Sequence, residues 1–132
     1  MTDCVLDASA LLFALLGRTT ESKELRQRLS RSRRHAPHLI DAEVGNVLRR
    51  HERAGLISPA EAHTGLLTSA ALIDQRYPHT GPVAALAWPL RENLTFYDAM
   101  YVAVATLLDV PLLTADARLS GAPELPCTVE LV

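Results

Sequence analysis

Short apolar runs alternate with longer segments of helical periodicity, and this alternation predicts the order of strands and helices. Apolar runs at 2–7, 110–113 and 128–132 have the length of strands, and 35–37 is a fourth, shorter candidate. Between them, apolar residues recur at the 3.6-residue spacing of amphipathic helices. Strands that alternate with helices favour a parallel sheet covered on both faces, so we predict an α/β fold with three layers, α/β/α.

Capping residues and apolar spacing predict the bounds of the helices. Ser9 is a good N-cap for a short buried helix, which Gly17 ends. The segment 58–61 has the hydroxyl cap, the first-turn proline and the acid that start another helix. Pro89 should split the helix that Pro82 opens. The predicted helices cover residues 11–16, 20–34, 41–54, 59–75, 82–93 and 95–108, and a short turn or helix covers 117–121.

Two of these helices differ in the sides that they bury. Residues 99–108 are apolar on every side, which predicts a deeply buried helix. The helix over 20–34 has an apolar stripe with Leu25 and Leu29. Its other face carries five arginines: Arg26, Arg28, Arg31, Arg33 and Arg34.

Four carboxylates fall at the ends of predicted elements, at Asp7, Glu43, Asp98 and Asp116. Each has a structural explanation of its own. Asp7 can cap the first helix. Glu43, in the first turn of the predicted helix, can interact favourably with the helix dipole, and Asp98 can complete a capping box. Asp116 can form an Asx-turn. Taken singly, each acid is explained at least as well by structure as by chemistry.

Taken together, the four acids point to a metal site. Parallel strands place Asp7 and Asp116 at the same edge of the sheet, where the helices after such strands also start. Carboxylates gathered there would repel one another and raise each other's pKa unless a cation neutralises them. Ligation by oxygen alone suits Mg²⁺ or Mn²⁺. Such ions on carboxylates commonly serve phosphoryl chemistry, in which one ion activates water.

Other acidic or phosphate-binding α/β sites do not fit the sequence. A phospho-acceptor receiver domain needs a lysine near its last strands, and the only lysine here is Lys23. A haloacid-dehalogenase-like phosphatase needs a second aspartate two residues after the first, where this chain has Ser9. Gly-rich phosphate loops and dinucleotide fingerprints are also absent.

Composition adds little to this interpretation. The chain has 132 residues, 48% of them apolar, which suits one domain with a substantial core. The net charge of −2 gives no global sign of nucleic-acid binding. Cys4 and Cys127 lack metal-type spacing, and we expect two buried free thiols, although the two residues can be neighbours in the sheet. No apolar stretch is long enough to span a membrane and no signal peptide is visible, so we predict a cytoplasmic protein.

Four segments resemble the sequence blocks of PIN-domain ribonucleases, most closely those of the VapC toxins of bacterial toxin–antitoxin pairs. The segments are VLDASAL at 5–11, AEVGNVL at 42–48, YDAMYVA at 97–103 and LTAD at 113–116. The resemblance runs from Asp3 to about residue 132 and implies a single PIN domain over 1–132. It also implies a mainly parallel, twisted sheet of about four to five strands.

The resemblance also implies roles for individual residues. Asp7, Glu43, Asp98 and Asp116 would form the acidic quartet that holds Mg²⁺ or Mn²⁺. The hydroxyl of Ser9 would orient an acid or a water molecule. Thr114 is a polar residue beside the last acid. Position 118 is Arg where many family members have a further acid or Asn, which argues against a second, permanently bound ion.

Basic residues are the candidates for RNA contact, because the acids alone would repel phosphates. We expect this role for Arg26, Arg49 and Arg50, with solvated helix faces as an equally good explanation of the arginines. Asn46 lies on the same helical face as Glu43 and can touch RNA or support the acid. As an alternative, Asn46 is simply an exposed polar residue. Thr114 is a further candidate for contact with RNA.

The function implied by the resemblance is that of a toxin that hydrolyses tRNA or rRNA with metal-activated water and so inhibits translation. It implies a cognate VapB-like antitoxin, a homodimer, and a heterotetramer or larger assembly with the antitoxin. Two alternatives stay open. One is a PIN nuclease for RNA processing or DNA repair without an antitoxin, and the other is a non-catalytic PIN-like binding module.

Overall fold

A computed structural model describes residues 2–132 and contains one five-stranded sheet in which every neighbouring pair of strands is parallel. The order across the sheet is β3-β2-β1-β4-β5. The predicted α/β fold with a central parallel sheet is therefore confirmed. The strands are β1 (Thr2–Leu6), β2 (Ser32–Pro37), β3 (Gln75–Tyr77), β4 (Leu112–Thr114) and β5 (Val129–Leu131).

Helices connect the strands and cover the sheet, which gives the three-layer α/β/α arrangement. A 3₁₀ turn, Trp88–Leu90, follows the fifth helix at the proline that was predicted to split this segment. The α-helices are α1 (Ala8–Leu16), α2 (Thr20–Leu29), α3 (Leu39–Arg53), α4 (Pro59–Leu72), α5 (Pro82–Ala87), α6 (Phe96–Leu108) and α7 (Ala117–Ser120).

The strand order places a crevice beside the central strand. From β1 the chain adds β2 and β3 on one side and then crosses to add β4 and β5 on the other. Ligand sites of open α/β sheets lie at such a reversal, outside the carboxyl ends of the strands. Asp7 directly follows β1, and Thr114 ends β4 two residues before Asp116. The topology thus brings two of the four candidate acids to the same edge.

The core lies on the central strands and on α6. Val5, Leu6 and Leu113 are fully buried, as is the stretch of α6 from 101 to 105 to within 1% exposure. Burial on every side was predicted for residues 99–108, and it is confirmed for 99–105, whereas Leu107 near the end of the helix is 46% exposed. Leu25 and Leu29 of α2 are also buried, as their spacing predicts.

The start of α1 differs from the prediction. The helix begins at Ala8 rather than at residue 11, and its N-cap is Asp7, whose Oδ1 accepts a hydrogen bond from the amide of Ala10 at 2.9 Å. Ser9 was predicted as the cap and lies inside the first turn instead. An aspartate caps a helix as well as a serine does, so sequence preference alone does not separate the two.

Other bounds also differ. The helix predicted over 20–34 ends at Leu29, and Arg33 and Arg34 belong to β2, so the arginines do not share one helical face. The helix that was expected to start at residue 41 begins at Leu39. The short edge strand β3 was not predicted, because its three residues, Gln75–Tyr77, carry no apolar run.

The two cysteines are free thiols, and only Cys4 is buried as predicted, because Cys127 is half-buried. Cys4 lies in β1 and Cys127 precedes β5, and β4 separates those two strands. Burial raises the pKa of the Cys4 thiol to about 11, so this side chain stays protonated and behaves as a small apolar residue. None of the helices within residues 2–132 is long and apolar enough to cross a membrane.

Candidate active site

A cavity of about 880 Å³ opens beside the carboxyl ends of β1 and β4. All four candidate acids line it, although they come from four separate parts of the chain. Asp7 follows β1, Glu43 lies in α3, Asp98 lies in the first turn of α6 and Asp116 caps α7. Each acid is thus held by a different element, as expected for a site at the reversal of an α/β sheet.

Asp7 is the most buried of the four acids, with 7% of its surface exposed. Three donors hold its carboxylate: the Ser9 hydroxyl at 2.6 Å and the Ala10 amide at 2.9 Å on Oδ1, and the Thr114 hydroxyl at 2.5 Å on Oδ2. Burial raises the pKa of Asp7, and the nearby charge of Asp98 adds to the rise, while the three hydrogen bonds oppose it. The capping role expected of Asp7 is therefore real, and it coexists with a position in the cavity.

Ser9 and Thr114 connect the two halves of the site. Ser9 Oγ accepts a hydrogen bond from the Ala115 amide at 2.9 Å and lies 3.2 Å from Thr114 Oγ1. Thr114 Oγ1 accepts one from the Asp116 amide at 3.0 Å. These bonds tie the loop after β4 to the start of α1 and fix the orientation of Asp7. Thr114 is fully buried, so the prediction that it contacts RNA is wrong.

Glu43 lies in the second turn of α3, because the helix begins four residues earlier at Leu39. Its expected dipole role in the first turn is therefore weakened. The Tyr101 hydroxyl donates to Glu43 Oε1 at 2.5 Å, and Tyr101 itself is 1% exposed. Burial raises the pKa of Glu43, the Tyr101 hydrogen bond opposes this, and the charges of Asp98 and Asp7 add to it.

Tyr101 is a site residue that the sequence analysis missed. It stands three residues after Asp98 on α6, so the two side chains lie on one helical face. This spacing is the only local sign of its role. Its partner Glu43 is 58 residues away in the chain, and nothing in the sequence joins them.

Asp98 and Asp116 lie at the open side of the cavity. The amide of Asp98 donates to Thr95 Oγ1 at 3.1 Å, and the amide of Arg118 donates to Asp116 Oδ1 at 2.9 Å. The Arg118 guanidinium lies 3.2 Å from Asp116 Oδ2 and 3.8 Å from Asp98 Oδ2. Burial raises the pKa of Asp98, Arg118 lowers it, and the charge of Asp116 raises it.

The electrostatics of the cavity suit a divalent cation. Three carboxyl groups have raised pKa values, and in each case a neighbouring acid contributes to the rise. Such mutual repulsion would be relieved by a hard cation, and oxygen donors are those that Mg²⁺ and Mn²⁺ prefer. Within residues 2–132, no three His, Cys, Asp or Glu side chains are gathered closely enough to hold an ion as they stand. The donor chemistry fits, and the side chains would have to move inward to share an ion.

The cavity continues away from the acids along one face of α3. Asn46 and Arg50 follow Glu43 at intervals of three and four residues, and all three side chains line the cavity. Arg49 does not line it, although the sequence offered Arg49 and Arg50 equally. Arg26 does not line it either, and its guanidinium instead donates to carbonyl oxygens at the end of α1, Ala14 O at 2.7 Å and Gly17 O at 3.0 Å.

Part of the wall of the cavity is apolar. It carries side chains from the middle and end of α1 and from α3, namely Leu12, Phe13, Leu16, Leu39 and Val47. The cavity is therefore acidic at the sheet edge, apolar along one wall and basic at its far end beside Arg50 and His51.

The sequence and the fold are similar to those of known proteins. Residues 4–125 match the PIN domain family. Ribonuclease VapC1 of Mycobacterium tuberculosis strain H37Rv is 51% identical over 132 residues, which cover 100% of this chain and 99% of the relative.

Solved structures agree on the fold. PAE2754 from Pyrobaculum aerophilum superimposes with a TM-score of 0.69 at 25% identity, over 97% of this chain and 90% of that one. A chain of VapBC2 from Rickettsia felis, bound to a DNA fragment from its promoter, superimposes with a TM-score of 0.73 at 10% identity, over 99% of each chain. The predicted resemblance is confirmed by these matches.

Proposed function

The chain belongs to the PIN domain family and, within it, to the VapC ribonucleases, and on this premise we propose that it is a metal-dependent endoribonuclease that serves as the toxin of a toxin–antitoxin pair. The observation that supports the metal-dependent chemistry is the single cavity lined by Asp7, Glu43, Asp98 and Asp116. In three of these acids, burial and neighbouring negative charge raise the pKa, and such perturbed acids gathered in one cavity are typical of functional sites.

Mg²⁺ or Mn²⁺ is the proposed cofactor. Asp7 and Asp98 would be its direct ligands, and Glu43 and Asp116 would bind it directly or through water. When bound, the ion would supply an activated water molecule and charge neutralisation for in-line attack on a phosphodiester. Ser9 and Thr114 hold Asp7 in one orientation from two sides. Tyr101 does the same for Glu43 from the core.

The remaining walls of the cavity suit an unpaired segment of RNA. The basic end beside Arg50 can hold a backbone phosphate, and the apolar wall with Phe13 can receive a base that is not stacked. The seven residues from Glu43 to Arg50 rise by roughly 10 Å along α3, so the phosphate at Arg50 would be a neighbour of the scissile one rather than the scissile one itself.

Arg50→Ala should weaken RNA binding, and Arg49→Ala should not. Both residues are exposed arginines at adjacent positions of α3, but only Arg50 lines the cavity. We expect the KM of the Arg50→Ala variant to rise by about three- to tenfold with little change in kcat. The slope of log binding constant against log salt concentration should become shallower by about 1, the value for one phosphate contact. Steady-state rates of RNA cleavage measure KM and kcat, and fluorescence anisotropy with a labelled RNA over a range of salt concentrations measures the salt dependence of binding. Equal losses in the two variants would contradict an RNA path along this face.

We further propose that the substrate is tRNA or rRNA, that cleavage inhibits translation and that the enzyme acts in the cytoplasm. The partner is a VapB-like antitoxin that covers the cavity, with the toxin as a homodimer and the complex as a heterotetramer or larger assembly. The name of the relative, a ribonuclease, supports RNA as the substrate, and the VapBC assembly named for the Rickettsia structure supports a VapB-like partner. The cavity also supports an antitoxin partner, since a peptide with basic and apolar side chains would match its acidic end and its apolar wall.

Induced expression of the chain in a bacterial host, followed by mapping of RNA ends across the transcriptome, tests the function and names the target. We expect growth arrest and new ends at a few sites in tRNA or rRNA, with neither effect in an Asp98→Asn variant. Normal growth with new ends in other transcripts would favour the alternative of an RNA-processing nuclease. Normal growth without new ends, at high expression of folded protein, would favour a binding module.

A further inference from the structure

Arg118 is placed where a cation is otherwise expected. Its guanidinium lies 3.2 Å from Asp116 Oδ2 and 3.8 Å from Asp98 Oδ2, at the open side of the cavity. In the described part of the chain, 2–132, no other cationic side chain forms an ion pair with any of the four acids. Within the described residues, the arginine therefore supplies the positive charge that lies directly against two of the four acids.

The hydrogen bonds of Asp116 make this contact consequential. Its Oδ1 accepts from the Arg118 amide as part of the cap of α7. Its Oδ2 accepts from the Arg118 guanidinium. Both oxygens of Asp116 are thus held by the same residue, one through the backbone and one through the side chain. A metal ion at Oδ2 would stand beside the positive guanidinium, so the two cations compete for the charge of this carboxylate.

Arg118 also acts on Asp98. The Arg118 charge lowers the pKa of Asp98 against the effect of burial, which means that the arginine stabilises the ionised carboxylate without a metal. Arginine stays charged throughout the accessible pH range, so this counter-charge is permanent.

We propose that Arg118 is a counter-ion built into the site, which competes with the metal ion for Asp98 and Asp116. In the metal-free protein the guanidinium offsets part of the negative charge of these two acids, and metal binding displaces it. This inference rests on the proposed metal-dependent function. Because 78% of the Arg118 side chain is exposed, solvent screens the pair and its displacement costs little. Arg118 thereby sets the concentration of metal at which the site fills, without blocking the site.

Calorimetric titration of Mn²⁺ into the intact protein, without RNA and at low ionic strength, tests this role. We expect Arg118→Gln to bind Mn²⁺ about two- to fivefold more tightly than the wild type, because the competing charge is gone. Arg118→Lys keeps the charge and should stay within about twofold of the wild type. The gain in Arg118→Gln should shrink at high salt, where the ion pair is screened.

Arg50→Gln is the matched control, since Arg50 lines the same cavity but pairs with none of the four acids. It should change Mn²⁺ affinity less than Arg118→Gln does. An equal change in both variants would show a general effect of charge and would overturn the proposal. So would unchanged or weaker Mn²⁺ binding in Arg118→Gln.

The same titrations separate this inference from the proposed function. If the wild type binds Mn²⁺ and Arg118→Gln binds it no better, the counter-ion role is wrong and the metal-dependent function stands. If only Arg118→Gln binds measurably, the competition is stronger than expected and the proposal is supported. If neither protein binds Mn²⁺ at millimolar concentrations, the proposed metal chemistry and the inference fail together.

Discussion

Replacement of Asp7 by asparagine is expected to reduce RNA cleavage by about a hundredfold or more. Asparagine keeps the size of the side chain but removes the charge that would hold the ion. It also presents an amide group where the carboxylate accepts hydrogen bonds from Ser9, Ala10 and Thr114. The measurement is the rate of cleavage of a defined RNA by purified protein with Mg²⁺, compared with the same reaction in EDTA.

Asp109→Asn is the control for this variant. Asp109 lies at the end of α6 in a left-handed conformation that asparagine also adopts, it is exposed, and it does not line the cavity. We expect Asp109→Asn to cleave RNA as the wild type does. Full activity of Asp7→Asn, or full activity of the wild type in EDTA, would contradict the proposed role of the acids.

The second large effect concerns stability. Mg²⁺ or Mn²⁺ at about a hundred times its dissociation constant should stabilise the folded protein by about 2.7 kcal/mol and raise the melting temperature by roughly 10 °C. The physical reason is the repulsion among Asp7, Glu43 and Asp98, which Arg118 relieves only in part, at Asp98. Differential scanning calorimetry with and without the ion measures the shift.

The pH dependence of this shift follows from the direction of the pKa changes. All three acids have pKa values that are raised in the folded protein. Their contribution to stability is therefore fully present below the unfolded pKa values, near 4, and is lost as the pH rises through the folded values. In the metal-free protein at neutral pH, the ionised acids should therefore lower the free energy of unfolding by the full amount. The stabilisation by metal should fall as the pH is lowered. If the metal raised the melting temperature of Asp98→Asn as much as that of the wild type, binding at this site would be contradicted.

The fold class and the four acids were predictable from the sequence because short stretches of neighbouring residues carry the signals for both. Apolar runs that end in an acid, as at Asp7, predict strands whose ends face a crevice. An entirely apolar stretch predicts the buried α6. These signals depend on neighbouring residues alone, and the structure confirms the strand-and-helix order that they predict, apart from the added edge strand β3.

What the sequence did not show depends on contacts between distant residues. The hydrogen bonds from Thr114 to Asp7 and from Tyr101 to Glu43 join positions 107 and 58 residues apart. Arg49 and Arg50 are equivalent in the sequence, and only the direction of α3 decides that Arg50 lines the cavity. Edge strand β3 is held by pairing with β2 rather than by its own apolar character.

The metal site itself is tested most directly by the anomalous scattering of crystals soaked in Mn²⁺. We expect an anomalous peak inside the cavity, within bonding distance of Asp7 and Asp98. The same crystals of Asp98→Asn should show a weaker peak or none. Mn²⁺ bound only outside the cavity, in a protein that still cleaves RNA in a metal-dependent way, would contradict the assignment of these acids as the metal site.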